Sequence, residues 1–452
     1  MTSEALQRAS EPSKRALATL KSGLAWDLMQ KVKERPRYDL HLRPDGVIDL
    51  SGALNTLMDD WMKSYVERFP QTLSPRYGAI HGSQALLNTA AGFFNAFFHP
   101  HGSALTGDHL LAANGVTSLI DMMAWTLCDP GDGIVFFTPN FYMLDYDASV
   151  RSGVTTVPVS ISTISDPFEA ECLPELMRLV QSAVDEAKRT RRVNCRVLFL
   201  TNPANPQGRC YSLLTLRALA IWCRNNAMHL VADEIYALST FGTESDKVGS
   251  TFSSVLSIPC DEATQQHIHC LYGVSKDFNM GGLRMGFLAT KNSAVRTAAS
   301  RVAWFTWLTS FSDTFITQFL ERQHLVKDYI SVYQTRLRQA YQIVSGALRK
   351  HAVPFAAANA GLFVFIDLGR WIDFFPRPKP ESNVGSVSRE LQLCEWLLDH
   401  GVFLNAGEFA GSDRPGHFRL VFTHNPEAAV IAVERIRSAL DKLEEGVEFP
   451  KA

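Results

Sequence analysis

Between residues 108 and 274, short apolar runs alternate with longer segments whose apolar side chains recur at helical spacing. The runs Asp108–Ala113, Gly133–Phe137, Val154–Val159, Arg196–Leu200, His229–Ala232 and Ile268–Val274 predict strands. Val116–Cys128, Pro174–Arg189 and Leu213–Asn226 predict the helices between them. In Pro174–Arg189, Leu176, Met177, Val180 and Val184 share one face and the charged residues take the other. Strands separated by helices rather than tight turns make βαβ units. The expected fold class is therefore α/β, a large domain with a mainly parallel sheet covered by helices.

Outside that region the pattern changes. Upstream, an amphipathic helix is expected around Trp26–Lys33, before Pro36 and Pro44 break regular structure. Ile48–Asn55 reads as a short strand entering a glycine turn, Leu57–Arg68 as a helix, and Tyr77–Gly82 as a turn into a helix over Ser83–Phe97. Ser293–Lys350 is mostly long helix. Gly361–Leu368 and Phe418–Phe422 then read as strands, Glu390–His400 and Glu427–Glu445 as helices, and the Pro-rich and Ser/Gly-rich stretch from Phe375 to Ser388 as a loop. This gives a smaller α+β domain over 321–452, a large domain over 61–320, and an N-terminal segment, 1–60, associated with the small domain.

Composition narrows the function classes. A chain of 452 residues, 46% hydrophobic and 20% charged, is long enough for two cores. A net charge of -2 gives no basis for nucleic acid or an anionic membrane as partner. Residues 1–15 are polar without the apolar core of a secretory signal, and no run reaches the roughly 18 apolar residues of a membrane span. The eight cysteines show neither C-x-x-C nor metal-ligand spacing, so reduced thiols, a cytoplasmic location and no metal are expected.

The chemistry concentrates in Gly273–Gly286. Lys276 follows a buried strand, where desolvation and nearby positive charge depress an ammonium pKa and make the amine available for a Schiff base with an aldehyde. Arg284 in the same loop suits a phosphate, and the glycines let the backbone approach it closely. Four further stretches stand at or just beyond predicted strand ends, where open α/β sheets bind ligands. Asn114–Ser118, with Val116 and Thr117, opens a helix and offers backbone N–H groups to an anion, or is an ordinary N-cap. Phe141 offers a ring for a planar heterocycle to stack on, or is a core residue. Asn205 lies in a turn of two Asn-Pro pairs that can aim an amide at a ring hydroxyl. Asp233 suits a protonated pyridine nitrogen, or caps a helix, and Tyr236 follows it by three residues.

With Tyr77-x4-Gly82, Asn205-Pro-x-Gly208, Asp233-x-x-Tyr236, Ser275-Lys276-Asp277 with Arg284, Asn359-Ala-Gly-Leu-Phe363 and Pro415-Gly-His-Phe-Arg419 in this order, the chain resembles fold-type I pyridoxal-phosphate enzymes of the class I/II aminotransferase superfamily, in the branch around 1-aminocyclopropane-1-carboxylate synthase. The resemblance runs from about Asp39 to the C-terminal helix. It implies pyridoxal 5'-phosphate as cofactor and Lys276 as the Schiff-base lysine that moves the Cα proton. It implies Asp233 on the pyridine nitrogen, and Asn205 and Tyr236 on the ring oxygen. Val116, Thr117, Ser275 and Arg284 would hold the phosphate, with Phe141 on the ring. Arg419 would take the substrate carboxylate, with Ala53 beside the substrate. Tyr77 would reach the neighbouring subunit's phosphate, which implies a homodimer with composite sites.

The pattern is broken in three places. Gly273 stands where the family usually carries a hydroxyl residue, so a serine restored there is expected to tighten cofactor binding. Ala53-Leu54-Asn55 stands where cyclopropane-forming synthases carry Ala-Glu-Asn, and Ile80-His81-Gly82 where they carry Tyr-His-Gly. The function implied is a reaction of an α-amino acid or amino-acid conjugate through an external aldimine. Aminotransfer ranks first, as in fungal small-molecule pathways, ahead of carbon–sulfur lysis of a cysteine conjugate and of cyclopropane formation. A non-catalytic cofactor-binding regulator ranks last, because Lys276 and Asp233 are both present and no DNA-binding segment is visible.

Overall fold

The computed structural model describes residues 12–19, 24–69, 76–242, 251–377 and 387–446. Part of the expected 375–388 loop, residues 378–386, lies outside the described residues.

Seven strands form the large sheet: β2 (Leu110–Ala113), β3 (Gly133–Thr138), β4 (Thr155–Ser160), β5 (Cys195–Thr201), β6 (His229–Asp233), β7 (Ile268–Gly273) and β8 (Gly286–Thr290). The order is β2-β8-β7-β6-β5-β3-β4, and every pairing is parallel except the two made by β8. The hydrophobic pattern did not single out β8, because its short apolar run directly continues the glycine-rich loop.

Alternation along the strands sends successive residues to two cores. Leu110, Ala112, Val135, Phe137, Leu198, Leu230, Cys270 and Phe287 join one cluster; Leu111, Ala113, Ile134, Phe136, Val197, Val231, Leu271 and Leu288 join the other. Helices Gln84–Phe97, Leu173–Arg191 and Leu213–Asn225 contribute to the first cluster, and Val116–Leu127 and Ser293–Val302 to the second. Burial on both faces explains why these strands read as continuous apolar runs.

The second sheet is antiparallel: β9 (Phe355–Ala356), β10 (Phe363–Asp367), β12 (Asn405–Ala406) and β13 (His417–Val421), in the order β12-β13-β10-β9. The N-terminal strand is shorter than its sequence suggested. Only β1 (Ile48–Asp49) is regular, and it pairs in parallel with β11 (Val402–Phe403). Beyond it, the Leu50 carbonyl accepts the Val421 N–H at 3.0 Å, so this segment is tied to C-terminal strands rather than to the large sheet. The expected helix over 293–350 is three helices, Ser293–Val302, Ser310–Glu321 and Gln323–Lys350.

Candidate active site

Strands β3, β5, β6 and β7 all run in one direction, so the residues that follow them emerge along one edge of the sheet. There a cavity of about 450 Å³ is lined by Ala53, Val116, Thr117, Phe141, Asn205, Asp233, Tyr236, Ser275, Lys276, Arg284 and Arg419. Residues far apart in the chain are thus brought to one place. Tyr77 is not among them: it is 92% exposed and stacks on Trp307, ring centroids 5.3 Å apart.

Lys276 is half-buried, and its Nζ donates a 2.7 Å hydrogen bond to the Ala53 carbonyl. Burial lowers its pKa to about 8; the Arg419 and Arg284 charges add to that shift and Asp233 opposes it. The Lys276 carbonyl in turn accepts from Asn55 Nδ2 at 3.1 Å, so the segment before Leu57 holds both ends of the lysine. Leu54 itself, in the position of the synthases' glutamate, is 57% exposed.

Asp233 ends β6, buried, with the Ile235 N–H on its Oδ1 at 3.1 Å. Burial pushes its carboxyl up to about 7. This is a carboxylate held in an apolar place, and a cation beside it would restore its charge. Tyr236 is buried edge-on to Phe363, with centroids 5.3 Å apart, and burial raises its phenol pKa.

Arg419 lies in the middle of β13 and is buried. Its Nη1 donates to Asn205 Oδ1 at 2.9 Å, its Nη2 donates to the Ser51 carbonyl, and its guanidinium lies 5.4 Å from the Phe363 ring centre. Its Nε is buried without a partner. The bond from Arg419 fixes the Asn205 amide with its oxygen toward the arginine, which leaves Nδ2 free for another acceptor.

The anion end is made by the helix Val116–Leu127, whose N-cap Gly115 has φ +118 and no side-chain cap. Its first N–H groups therefore lack intrahelical acceptors. At φ +118 a side chain on residue 115 would be strained, and its Cβ, 2.7 Å from Arg284 Nη2, would push the guanidinium off this helix end. Positive helix end and arginine together suit a phosphate.

Several lining residues carried no sequence signal of their own. Tyr142 follows Phe141, with ring centroids 5.2 Å apart, and burial raises its phenol pKa. Behind the lining, Asp147 is buried near Thr117 with its Oδ2 unpartnered, and burial pushes its carboxyl up to about 6. Asn405 pairs with Arg419 across β12 and β13, and its Oδ1 is buried without a partner. Met29, Val32, Lys33 and Arg37 also line the cavity; the helical spacing of the first three was visible, but not what it faced.

Among the described residues no helix is long and apolar enough to cross a membrane, and no group of three or more His, Cys, Asp and Glu side chains could hold a metal ion. All eight cysteines are free thiols.

The family model for aminotransferase class I and II matches residues 47–436. The chain is 28% identical over 403 residues to "Probable aminotransferase sirI" of Leptosphaeria maculans, covering 88% of this chain and 92% of that one. It is 27% identical to human "1-aminocyclopropane-1-carboxylate synthase-like protein 1", covering 92% and 80%. Its fold is that of the Thermus thermophilus aspartate aminotransferase, with a TM-score of 0.72 at 18% identity over 95% of this chain and 99% of that one. The donor set in the cavity suits the cofactor of such enzymes: an amine of lowered pKa, a buried carboxylate, and a helix end with an arginine. The chain belongs to the aminotransferase class I and II family and is a pyridoxal-phosphate enzyme of aminotransferase type, in the branch of the 1-aminocyclopropane-1-carboxylate synthase-like proteins.

Proposed function

We propose that the chain transfers the amino group of an α-amino acid or amino-acid conjugate, using Lys276 as the base. The observation that carries this is the convergence of Lys276, Asp233, Asn205, Tyr236, Arg284 and Arg419 on one cavity. When bound, pyridoxal phosphate supplies an aldehyde that links to amines and a ring that takes up the electron pair left at the substrate Cα. Arg284, the Ser275 hydroxyl and the N–H groups at Val116 and Thr117 would hold its phosphate. Asp233 would keep the ring nitrogen protonated, Asn205 Nδ2 and the Tyr236 hydroxyl would hold the ring oxygen, and Phe141 would stack on the ring. Arg419 takes the α-carboxylate, which orients the Cα–H bond toward Lys276. Lys276 Nζ would act as the base that takes the Cα proton and as the acid that gives it back. Ala53, through its carbonyl, keeps Nζ in place beside the substrate.

A second reading, β-elimination from a cysteine conjugate, is supported by the apolar side chains of Met29 and Val32 in the cavity wall, which suit a thioether substituent. Cyclopropane formation is disfavoured by exposed Leu54 in place of the synthases' glutamate. A non-catalytic role is disfavoured by the complete set of catalytic groups.

The proposal extends to assembly, location and organisation. Exposed Tyr77, Trp304 (56%) and Phe305 (75%) support a homodimer in which Tyr77 completes the partner's phosphate site. The eight free thiols support a cytoplasmic location. The pairing of β1 with β11 supports assigning residues 1–60 to the small domain, 321–452, beside the large domain, 61–320.

The test is incubation of the purified holoenzyme with an amino-acid panel and a thioether cysteine conjugate. Oxo acid with pyridoxamine phosphate is expected. Pyruvate, ammonia and free thiol would establish elimination instead, and no product from any substrate would refute both.

A further inference from the structure

The mouth of the cavity is cationic. On the helix Leu24–Glu34, Met29, Val32 and Lys33 are spaced i, i+3 and i+4, so they share a face, and all three line the cavity with Arg37. Lys31 on another face of this helix pairs with Glu395, and Arg35, just past its end, pairs with Asp399 at 2.7 Å, both acceptors on the helix Arg389–Asp399. Leu28 and Val32 are buried in the core, so packing and ion pairs together set how the helix is turned. The backbone on either side of Arg37 is held as well. The Val47 N–H donates to the Pro36 carbonyl at 2.8 Å and the Tyr38 N–H to the Val47 carbonyl at 3.0 Å. Lys33 and Arg37 are therefore placed by a built framework.

Among the described residues neither Lys33 nor Arg37 is in an ion pair, whereas Lys31 and Arg35 both are. Asp49 also lines the cavity, but its Oδ1 already accepts from the Ser51 N–H at 3.0 Å and the Ser51 hydroxyl at 2.7 Å. This part of the lining thus carries two positive groups and one negative group whose Oδ1 is held by Ser51. A cleft with this charge pattern concentrates anions.

We infer that Lys33 and Arg37 form a second anion subsite, which reads a carboxylate at the far end of the substrate's side chain. This rests on the proposed reaction of an α-amino acid whose α-carboxylate is taken by Arg419. Arg419 is buried and Lys33 and Arg37 are exposed, so the two cationic positions mark the deep and outer ends of the cavity. Met29 and Val32 give the wall an apolar stretch. The substrate class is an α-amino acid with an apolar or thioether stem ending in a carboxylate.

The experiment compares S-(2-carboxyethyl)cysteine with S-butylcysteine on the holoenzyme, following the cofactor absorption band to obtain each Kd. The acidic analogue should bind about fivefold more tightly at low salt, the scale of a partly exposed charge pair, and the preference should shrink as salt rises. In the Lys33→Ala/Arg37→Ala double variant the ratio of the two constants should fall to about one, within the error of such a comparison. The Lys33→Glu/Arg37→Glu variant should instead favour the amine-tipped S-(3-aminopropyl)cysteine. Equal affinities in the unmodified enzyme, or a preference that persists in the double variants, overturns the subsite while the proposed reaction stands. No band change with any α-amino acid refutes the reaction itself, and this assignment with it. If the double variants fail to fold, the analogue ratio and its salt dependence in the unmodified enzyme still decide.

Discussion

Val116 fills the space that a side chain at Gly273 would need. A Cβ at Gly273 would meet Val116 Cγ2 at 2.9 Å, Ile235 Cδ1 at 3.0 Å and the Met285 carbonyl oxygen at 3.0 Å. The glycine in the family's usual hydroxyl position is thus matched to a bulky neighbour at the start of the helix Val116–Leu127. This overturns the expectation that a serine there would simply add a phosphate contact.

Gly273→Ser should therefore destabilise the protein by about 1–3 kcal/mol, the usual cost of overpacking, and should not tighten cofactor binding. Adding Val116→Ala removes the closest of the three contacts and should recover part of the loss. Thermal melts of the cofactor-free proteins and cofactor titrations check this. Tighter binding by the single variant at unchanged stability would show that the strand end gives way.

Lys276 should react as an amine of pKa about 8 in the cofactor-free protein. The rate of cofactor capture should rise with pH through that value and level off above it, because the neutral amine attacks. Asp233→Asn should move the midpoint down, since the carboxylate's charge favours the ammonium. Arg419→Gln should move it up, since the guanidinium opposes the ammonium. Borohydride reduction followed by peptide mapping should find the pyridoxyl group on Lys276. A midpoint near that of a solvated lysine, or label on another residue, would contradict the site.

Asp233→Ala should lower turnover on the order of a hundredfold or more while cofactor retention falls much less, because in the proposed site the carboxylate would act on the ring nitrogen and the phosphate contacts would be separate. Steady-state kinetics beside a cofactor titration separate the two effects. Near-normal turnover would reduce Asp233 to the acceptor of the Ile235 N–H.

Tyr77, exposed on its own chain, should act on another. Sedimentation should show a dimer at micromolar concentration, and mixing inactive Lys276→Ala chains with impaired Tyr77→Ala chains should restore activity in heterodimers. One of the two sites in such a heterodimer has both native residues. A fully active monomer, or no recovery in verified heterodimers, would leave Tyr77 as packing on Trp307.

Much of this was legible in the sequence because it is local. Asp233 sits at the end of a run that a buried parallel strand requires, and Lys276 follows another such run, so apolar runs alone placed one at a strand end and the other just beyond one. Glycine and proline punctuation marked the turns that carry Asn205 and Arg284. The order of the motifs pointed to the family, the cofactor and the α/β fold with its mainly parallel sheet.

What lies between distant segments was decided only by the tertiary structure. The spacing of Met29, Val32 and Lys33 is that of any amphipathic helix; that it faces the cavity depends on Leu28 and Val32 packing into the core and on Lys31 and Arg35 reaching Glu395 and Asp399. The sequence showed glycine at 273 as a missing hydroxyl, whereas packing makes it the partner of Val116, a contact between a strand end and a helix end more than a hundred residues apart. Local periodicity records whether a side chain is wanted inside. It does not record which neighbour fills the adjoining volume, because that volume exists only once the sheet, the helix and the N-terminal segment have packed together.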